Sequence, residues 1–449
     1  MNIHGERKRI ILNGVQILSL GFISVILIGT ILLTLPISSI NGEFTNIVDA
    51  MFTSTSAVCV TGLIVLDTAT HWSTFGQCII LLLIEIGGLG FMSFTTLLAI
   101  LIGKKITLKQ RLLIQESMNT FSLQGLVKMV KHILIFTTTI QLLGAVVLSF
   151  VFIPDYGVKR GIYYSIFHSV SAFCNAGFDL IGEFRSITVY YNHSILILTI
   201  SALIIIGSLG FSVWSEIYHY KETRRLSVHS KIVLLVSGVL LLGGFLAFFA
   251  LEYNNPNTLQ DMNFKDKIVN AFFASVTPRT AGFNTIDLAG MTTASKFLTI
   301  FLMFIGGSPG STAGGLKTAT FGILLITVIS VIRGREDSEA FGRRFPKELV
   351  YKAFSLFFIA MSIVLIVTLV LSVTENNENF LDLLYEATSA FGTVGITTGV
   401  TQELSTIGKF IIMISMYFGR VGPLTIAFAI TKKRKKKNYK YPEGKILIG

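Results

Sequence analysis

The chain alternates long apolar runs with short polar connections. No Asp, Glu, Lys or Arg occurs in residues 10–42, 132–154, 186–215, 232–251, 297–316 or 353–374. Each run reaches about 20 residues, the length at which a helix crosses the hydrocarbon core of a bilayer. Between them lie shorter amphipathic segments at about 45–57, 161–173, 265–277 and 380–391, too short to span. The pattern predicts outward helices over 12–36, 132–153, 231–251 and 349–373. It predicts inward helices over 73–102, 194–218, 296–332 and 407–431, the third of them interrupted. The first run follows Arg7-Lys8-Arg9, but it extends well past a signal-peptide apolar region and shows no small-residue cleavage site. It therefore reads as a retained helix.

Two glycine motifs recur in register. SAVCVTGL (56–63), SAFCNAGF (171–178), VTPRTAGF (276–283) and SAFGTVGI (389–396) align without gaps and share Gly62, Gly177, Gly282 and Gly395. IGGLG (86–90), IGSLG (206–210), IGGSPG (305–310) and FGRVG (418–422) follow, 25 residues on from Gly62 to Gly87 and 24 from Gly395 to Gly419. Four units result, each an outward helix, a short re-entrant helix, a glycine-bearing loop and an inward helix. They run in one direction, unlike the inverted repeats of many secondary transporters. The expected fold is an all-α polytopic membrane protein of eight transmembrane and four pore helices in pseudo-fourfold array. The expected units are 1–103, 104–220, 221–335 and 336–432, followed by a basic tail at 433–449.

Composition and charge sharpen this picture. Of the residues, 52% are hydrophobic and only 14% charged, too few charges for a soluble protein of 449 residues. Segments 1–11, 103–131, 219–231, 332–352 and 432–449 hold 27 of the 37 basic residues. The other connections carry acids such as Glu43, Asp67, Asp155, Asp179, Glu252 and Glu375. By the positive-inside rule the basic segments and both termini are cytoplasmic. KKRKKK (432–437) after a membrane helix is a topology anchor and not a nucleic-acid patch. Cys59, Cys78 and Cys174 form no metal or redox motif, the histidines share no column, and no convergent catalytic set exists, so enzyme chemistry is not expected.

Non-helical backbone at membrane depth must be buried in protein or line a watery cavity. Four equivalent loops around one axis could replace a cation's hydration shell with carbonyl oxygens, aided by the negative ends of the short helices. At these residues the chain resembles the Trk/Ktr/HKT superfamily of potassium-transport membrane subunits, most of all the bacterial Ktr type. The resemblance covers essentially the whole chain. It implies potassium uptake across the bacterial plasma membrane, with an ion selectivity filter built from backbone at four stretches. These are Val58, Cys59, Val60, Thr61 and Gly62; Phe173, Cys174, Asn175, Ala176 and Gly177; Arg279, Thr280, Ala281 and Gly282; and Gly392, Thr393, Val394 and Gly395. Glycine at 62 implies a potassium preference, since plant relatives with serine there tend to carry sodium. Only TVGIT (393–397) is close to the TVGYG of tetrameric potassium channels, so a sodium or mixed cation transporter of the same fold is the alternative.

GGSPGSTAGGLKT (306–318) poses a separate question. A Walker A loop would need Lys directly after the last glycine and a strand before the first; Leu316 intervenes, and membrane helix lies on both sides. Helix-packing glycines would explain one or two of these residues, not all. Pro309 and its neighbouring glycines would unwind more than a turn. The resemblance implies a gate made of Gly306, Gly307, Ser308, Pro309, Gly310, Ser311, Thr312, Ala313, Gly314 and Gly315, with Lys317 and a pore-facing Arg420 that contacts it. Arg420 is too far from Lys432 to reach an interface. Glu85 and Glu216 could attract cations or pair with Lys317 or Arg420, or Glu216 could simply end its helix. Arg279 is expected to bond filter carbonyls or a pore-helix acid, and Asp49 and Asp382 to complement helix N-termini.

The resemblance also implies partners. These are a second copy of the chain, joined in part through GKILIG (444–449), and a cytosolic ring of Rossmann-like, RCK-type subunits binding ATP or ADP. Segments 103–131, 219–231 and 332–352 would dock that ring or anionic lipid. The chain itself would bind no cofactor. Potassium is its substrate, sodium a candidate stimulant, and nucleic acid no partner.

Overall fold

The computed structural model describes residues 14–90, 126–375, 378–422 and 442. Helices α1 (Gly14–Thr34), α2 (Ile47–Cys59) and α3 (Thr74–Leu89) form the first group. Helix α4 (Leu126–Phe173) joins an opening and a short helix across a kink, where Pro154 removes a donor and Gly157 turns to φ 75°. It is followed by α5 (Ser194–Ser208) and α6 (Phe211–Tyr218). The third group is α7 (Val228–Glu252), α8 (Phe264–Val276), α9 (Thr293–Phe304) and α10 (Thr318–Ile332). A hairpin of β1 (Glu339–Ala340) and β2 (Arg343–Arg344) leads to α11 (Lys347–Thr374), α12 (Phe380–Gly392) and α13 (Thr406–Val421).

Among the described residues four helices, Gln16–Thr34, Val130–Phe173, Val228–Glu252 and Lys347–Thr374, are long and apolar enough to cross a bilayer alone. Their outer faces expose Ile31, Phe150, Leu246 and Val373, as lipid-facing sides do. The closing helices are shorter pieces. The second, expected as one element over 194–218, is two, α5 and α6, bent by 99°. The cause lies in the second glycine motif: Gly90, Gly210 and Gly422, its last residue in three groups, share φ/ψ near 82°/138°, 88°/139° and 91°/131°. A right-handed helix cannot continue through such a residue. The sequence suggested a break in the third closing helix only; the same column ends or bends the other three.

Three of the four short helices hang on their opening helices by a serine. Ser54, Ser169 and Ser275 donate to the Ile26, Gln141 and Leu241 carbonyls at 2.8, 2.6 and 2.7 Å. The crossings are close because Gly29, Gly144 and Gly244 face those hydroxyls, where any Cβ would collide. Two carboxylates, the buried Glu252 and the half-buried Glu375, join opening to closing helices. Glu252 accepts from the N-cap Thr292 (N 3.0 Å, Oγ1 2.7 Å), and Glu375 from the N-cap Ser405 (N 3.1 Å, Oγ 2.6 Å). Fully buried aromatics such as Phe52, Trp72, Phe152, Phe167 and Phe173 fill the space behind the glycine loops. Packing of α3 on α4, α5 on α8, α9 on α12 and α13 on α2 closes the four groups into a ring.

Candidate functional site

All four short helices end in the same turn. Val60, Asn175, Thr280 and Thr393, each two residues before a motif glycine, sit in the left-handed region at φ 57°, 61°, 64° and 51°. The glycines follow at φ 95°, 71°, 80° and 91°. Left-handed φ costs a β-branched residue about 1–3 kcal/mol and persists only where the surroundings enforce it. Here the helix ends enforce it. Thr61, Ala176 and Val394 donate their N–H groups to the Ser56, Ser171 and Ser389 carbonyls at 2.8, 2.7 and 2.8 Å. The Ser56 and Ser389 hydroxyls in addition accept the Gly62 and Gly395 N–H groups at 3.0 and 3.1 Å.

The four turns meet on one axis. A Cβ on Gly62 would strike the Ala176 carbonyl, and one on Gly177 would lie 2.5 Å from Gly282 Cα. One on Gly282 would lie 3.1 Å from the Val394 oxygen, and one on Gly395 would strike the Thr61 carbonyl. The glycines thus form a closed circuit, 62 to 177 to 282 to 395, in which only a residue without a side chain fits. The Asn175 amide ties the second turn to the third through the Arg279 carbonyl at 3.1 Å. The hydroxyls of Thr61 and Thr393 are buried without a hydrogen-bond partner among the described residues.

A second layer lies against the inner ends of these turns. The loop between α9 and α10 is pinched shut by Gly306 N–H to Leu316 O (2.8 Å) and Thr318 N–H to Gly307 O (3.0 Å). It docks in the break of the second closing helix: Ser308 and Thr312 donate to the Ser208 and Gly207 carbonyls at 2.9 and 3.2 Å. Phe211, the first residue of α6, returns a bond to Gly310 O at 2.9 Å. Thr312 Oγ1 reaches the Phe173 carbonyl at 3.2 Å, and Gly314 packs on Thr393. Arg420 completes the layer, its guanidinium donating to the Thr312 and Gly87 carbonyls and, at 3.3 Å, to Gly88 O. The loop therefore touches groups two and four directly and group one through Arg420.

The model of the TrkH family, described as a cation transport protein, matches residues 4–441. The chain belongs to that family. It is 47% identical over the full length of both chains to the potassium/sodium uptake protein NtpJ of Enterococcus hirae. It is 41% identical to the Ktr system potassium uptake protein B of Bacillus subtilis, over 97% of this chain and 96% of that one. The crystal structure of the potassium transporter TrkH from Vibrio parahaemolyticus shares the fold, with TM-score 0.70 over 95% of this chain and 87% of that one at 18% identity.

Within this TrkH-family chain some expected side-chain roles change. Among the described residues Arg279 bonds neither a filter carbonyl nor an acid. Its Nη2 donates to Ser237 Oγ at 3.2 Å, while Nε and Nη1 are buried without a partner among the described residues. Glu85 pairs with neither Lys317 nor Arg420; it accepts from Gln141 Nε2 (3.0 Å) and Cys174 Sγ (3.2 Å). Glu216 accepts the Ser227 N–H at 2.9 Å, which joins α6 to the turn before α7. Asp49 and Asp382 do more than complement a dipole: they accept Lys409 and Lys296 at 2.7 and 3.0 Å from the closing helix of the preceding group. Lys317 donates to the Ala313 carbonyl of its own loop at 2.5 Å. The segment 103–125, the tail apart from Pro442, and GKILIG lie outside the described residues.

Sequence reasoning missed the receptor for the loop, which is Gly207, Ser208 and Gly210. Their signal was available, because IGSLG occupies the same column as IGGSPG. It missed the carbonyls of Gly87 and Gly88 as Arg420 acceptors, for which a residue string carries no signal. On the far side of the ring Asp179 accepts the Ile181 N–H at 2.9 Å. Burial pushes its carboxyl up to about 6; the Ile181 N–H draws it down and nearby Asp67 raises it.

Proposed function

We propose that the chain is the translocating subunit of a potassium-uptake system in the bacterial cell membrane. It is a channel-like pore whose filter is the ring of glycine turns and whose gate is the 306–315 loop. The observation that carries this reading is the convergence of Gly62, Gly177, Gly282 and Gly395 on one axis, directly against a loop fastened by Arg420. Potassium is bound by replacing its hydration oxygens with carbonyl oxygens held at fixed spacing. Four turns of one backbone shape, with the Thr61 and Thr393 hydroxyls that have no partner among the described residues, supply oxygens without fixed charge. The names of the Enterococcus and Bacillus relatives support potassium as substrate.

The loop obstructs the path in two ways. It fills the layer inside the ring, and with Arg420 and Lys317 it brings two cationic side chains toward any entering cation. Opening requires undocking from Gly207, Ser208 and Phe211. A cytosolic nucleotide-binding ring, acting on the exposed basic surfaces at 219–225 and 333–344, is the proposed source of that pull. The termini are cytoplasmic in this scheme and the subunit works as a homodimer. A mixed potassium/sodium activity is the second reading, favoured by the name of the Enterococcus relative and by three turns that depart from TVG.

Growth of a potassium-uptake-deficient bacterium on low potassium, with and without a regulatory subunit, tests the activity. Gly62→Ser is expected to lower the potassium-to-sodium flux ratio, and an unchanged ratio removes the filter assignment.

A further inference from the structure

Nine residues before each motif glycine, the short helices carry Thr53, His168, Phe273 and Glu386. All four are at 0% exposure, yet they behave differently. The Thr53 hydroxyl turns back onto its own helix at the Asp49 carbonyl (2.9 Å), and Phe273 packs in the apolar core. His168 and Glu386 instead reach the segment that leaves the ring. His168 Nε2 accepts the Leu180 N–H at 3.4 Å, three residues past Gly177. The Glu386 carboxylate accepts Thr397 Oγ1 at 2.6 Å and Thr401 Oγ1 at 2.5 Å, two and six residues past Gly395. Thr397 Oγ1 in turn accepts the N–H groups of Gly399 (3.1 Å) and Thr401 (3.5 Å). The carboxylate is therefore the root of a hydrogen-bond chain that gathers residues 397–401 onto the short helix.

A fully buried carboxylate is expensive to keep, and among the described residues no lysine or arginine pairs with Glu386. The ion pair on the same helix, Lys296 with Asp382, sits one turn earlier and serves the contact with α9. A simple packing site would take an apolar residue, as group three does with Phe273. What Glu386 has that Phe273 lacks is a hold on the outer limb of its glycine turn. Groups two and four face each other across the ring, so the polar hold is twofold and not fourfold.

We propose that Glu386 is a positioning residue for ion selectivity. Its two threonine bonds fix the outer limb of the fourth turn, so that the Val394 and Gly395 carbonyls keep the spacing that fits one cation. The proposal rests on the filter reading above and extends it to a residue that never touches the ion.

The test is the potassium-to-sodium flux ratio of the full-length protein in proteoliposomes, measured for Glu386→Ala, Glu386→Gln, Thr397→Val and, alongside, Gly395→Ser. Loss of both bonds in Glu386→Ala is expected to lower the ratio about tenfold, and Thr397→Val about threefold with the charge intact. Glu386→Gln keeps an acceptor and the side-chain shape, and is expected to hold the ratio within about twofold. A fall in total flux at constant ratio for both Glu386→Ala and Thr397→Val overturns the proposal, because a purely structural role gives that outcome. Glu386→Gln as poor as Glu386→Ala also overturns it, since charge and not position would then matter. Should Glu386→Ala not assemble, Thr397→Val decides alone. A shifted ratio in Gly395→Ser beside unchanged Glu386 and Thr397 variants sinks the positioning role and leaves the filter standing. An unchanged Gly395→Ser sinks both.

Discussion

The ring of glycine turns and the layer beneath it obey opposite rules. In the ring, four unlike sequences, VTG, NAG, TAG and TVG, adopt one backbone, with left-handed residues at the same two positions of each. In the layer beneath, the like sequences of groups two and three do unlike things. Group two resumes its helix at Phe211, directly after Gly210, whereas group three waits from Gly310 to Thr318 and sends the intervening chain across the axis. The ring makes its demand on the backbone, so side chains can drift while the glycines and helix ends keep the shape. The layer beneath demands one element that reaches all its neighbours, which four identical pieces cannot supply. On the proposed reading, symmetry sits where an ion is held, and asymmetry where passage is controlled.

The sharpest way to break the symmetric half is Gly177→Ala. The added Cβ would lie 2.5 Å from Gly282 Cα at a φ of 71°, so two turns must move apart. Misplacement on that scale is expected to cut potassium flux about 100-fold while the detergent-solubilised protein keeps its size and helix content. Flux at the unsubstituted level would show that the ring does not carry the ion. The asymmetric half is broken by deleting residues 309–314, which removes the bonds to Gly207 and Phe211. Nucleotide-independent flux should rise about tenfold. Normal, nucleotide-dependent flux in the shortened chain would sink the gate.

Arg420→Gln weakens the asymmetric layer without removing it. The guanidinium now joins the loop at Thr312 to the first closing helix at Gly87 and Gly88. A charge-assisted bond of this kind contributes about 1.5–3 kcal/mol, and glutamine keeps at most part of the set. Resting flux is expected to rise about threefold to tenfold, less than on deletion because the bonds from the loop to the Ser208 and Gly207 carbonyls remain. A drop in resting flux would mean that Arg420 supports the pathway more than it closes it.

How much of this was legible in the sequence follows the same division. The charge-free runs and the two glycine motifs located the helices and the four turns, because both are set by local chemistry that repeats. Gly62, Gly177, Gly282 and Gly395 could be aligned by eye, and each does sit at positive φ. What a residue string does not show is which carbonyl a long side chain finds. Arg420 could be named as an outlier, but Gly87 and Gly88 as its acceptors follow from the way the first closing helix stops at Gly90. Arg279 was misjudged for the same reason: its neighbour Ser237 lies 42 residues away on an opening helix. The bend at Gly210 was overlooked because no proline or extra residue marks it, only a glycine shared with three other helices.

The smallest expected effect concerns the seams that hold the ring shut. Ten residues before the first glycine of the second motif, the closing helices carry Gln77, Ile197, Lys296 and Lys409. Lys296 and Lys409 pair with Asp382 and Asp49 of the following group, and Gln77 accepts the Tyr163 hydroxyl of the following group at 3.1 Å. Ile197 marks an apolar seam, against which Asn270 of the following group donates to the Tyr191 carbonyl at 2.8 Å. The Lys409–Asp49 side chains are 19% and 20% exposed, so water screens part of their attraction and part of the penalty for separating them. Lys409→Met should thus cost about 1–2 kcal/mol, chiefly by leaving Asp49 without its cation. For a chain of this size that is a fall of about 2 °C in the melting temperature in detergent. Adding Asp49→Asn should recover most of it, since the stranded charge and not the missing bond dominates the loss. The potassium-to-sodium ratio is expected to stay within about twofold throughout, because Asp49 lies a full helix length from Gly62 and the turn is fastened separately by Ser56. A large selectivity change in Lys409→Met, with stability intact, would mean that the seams tune the ring directly and that its symmetry depends on the layer around it.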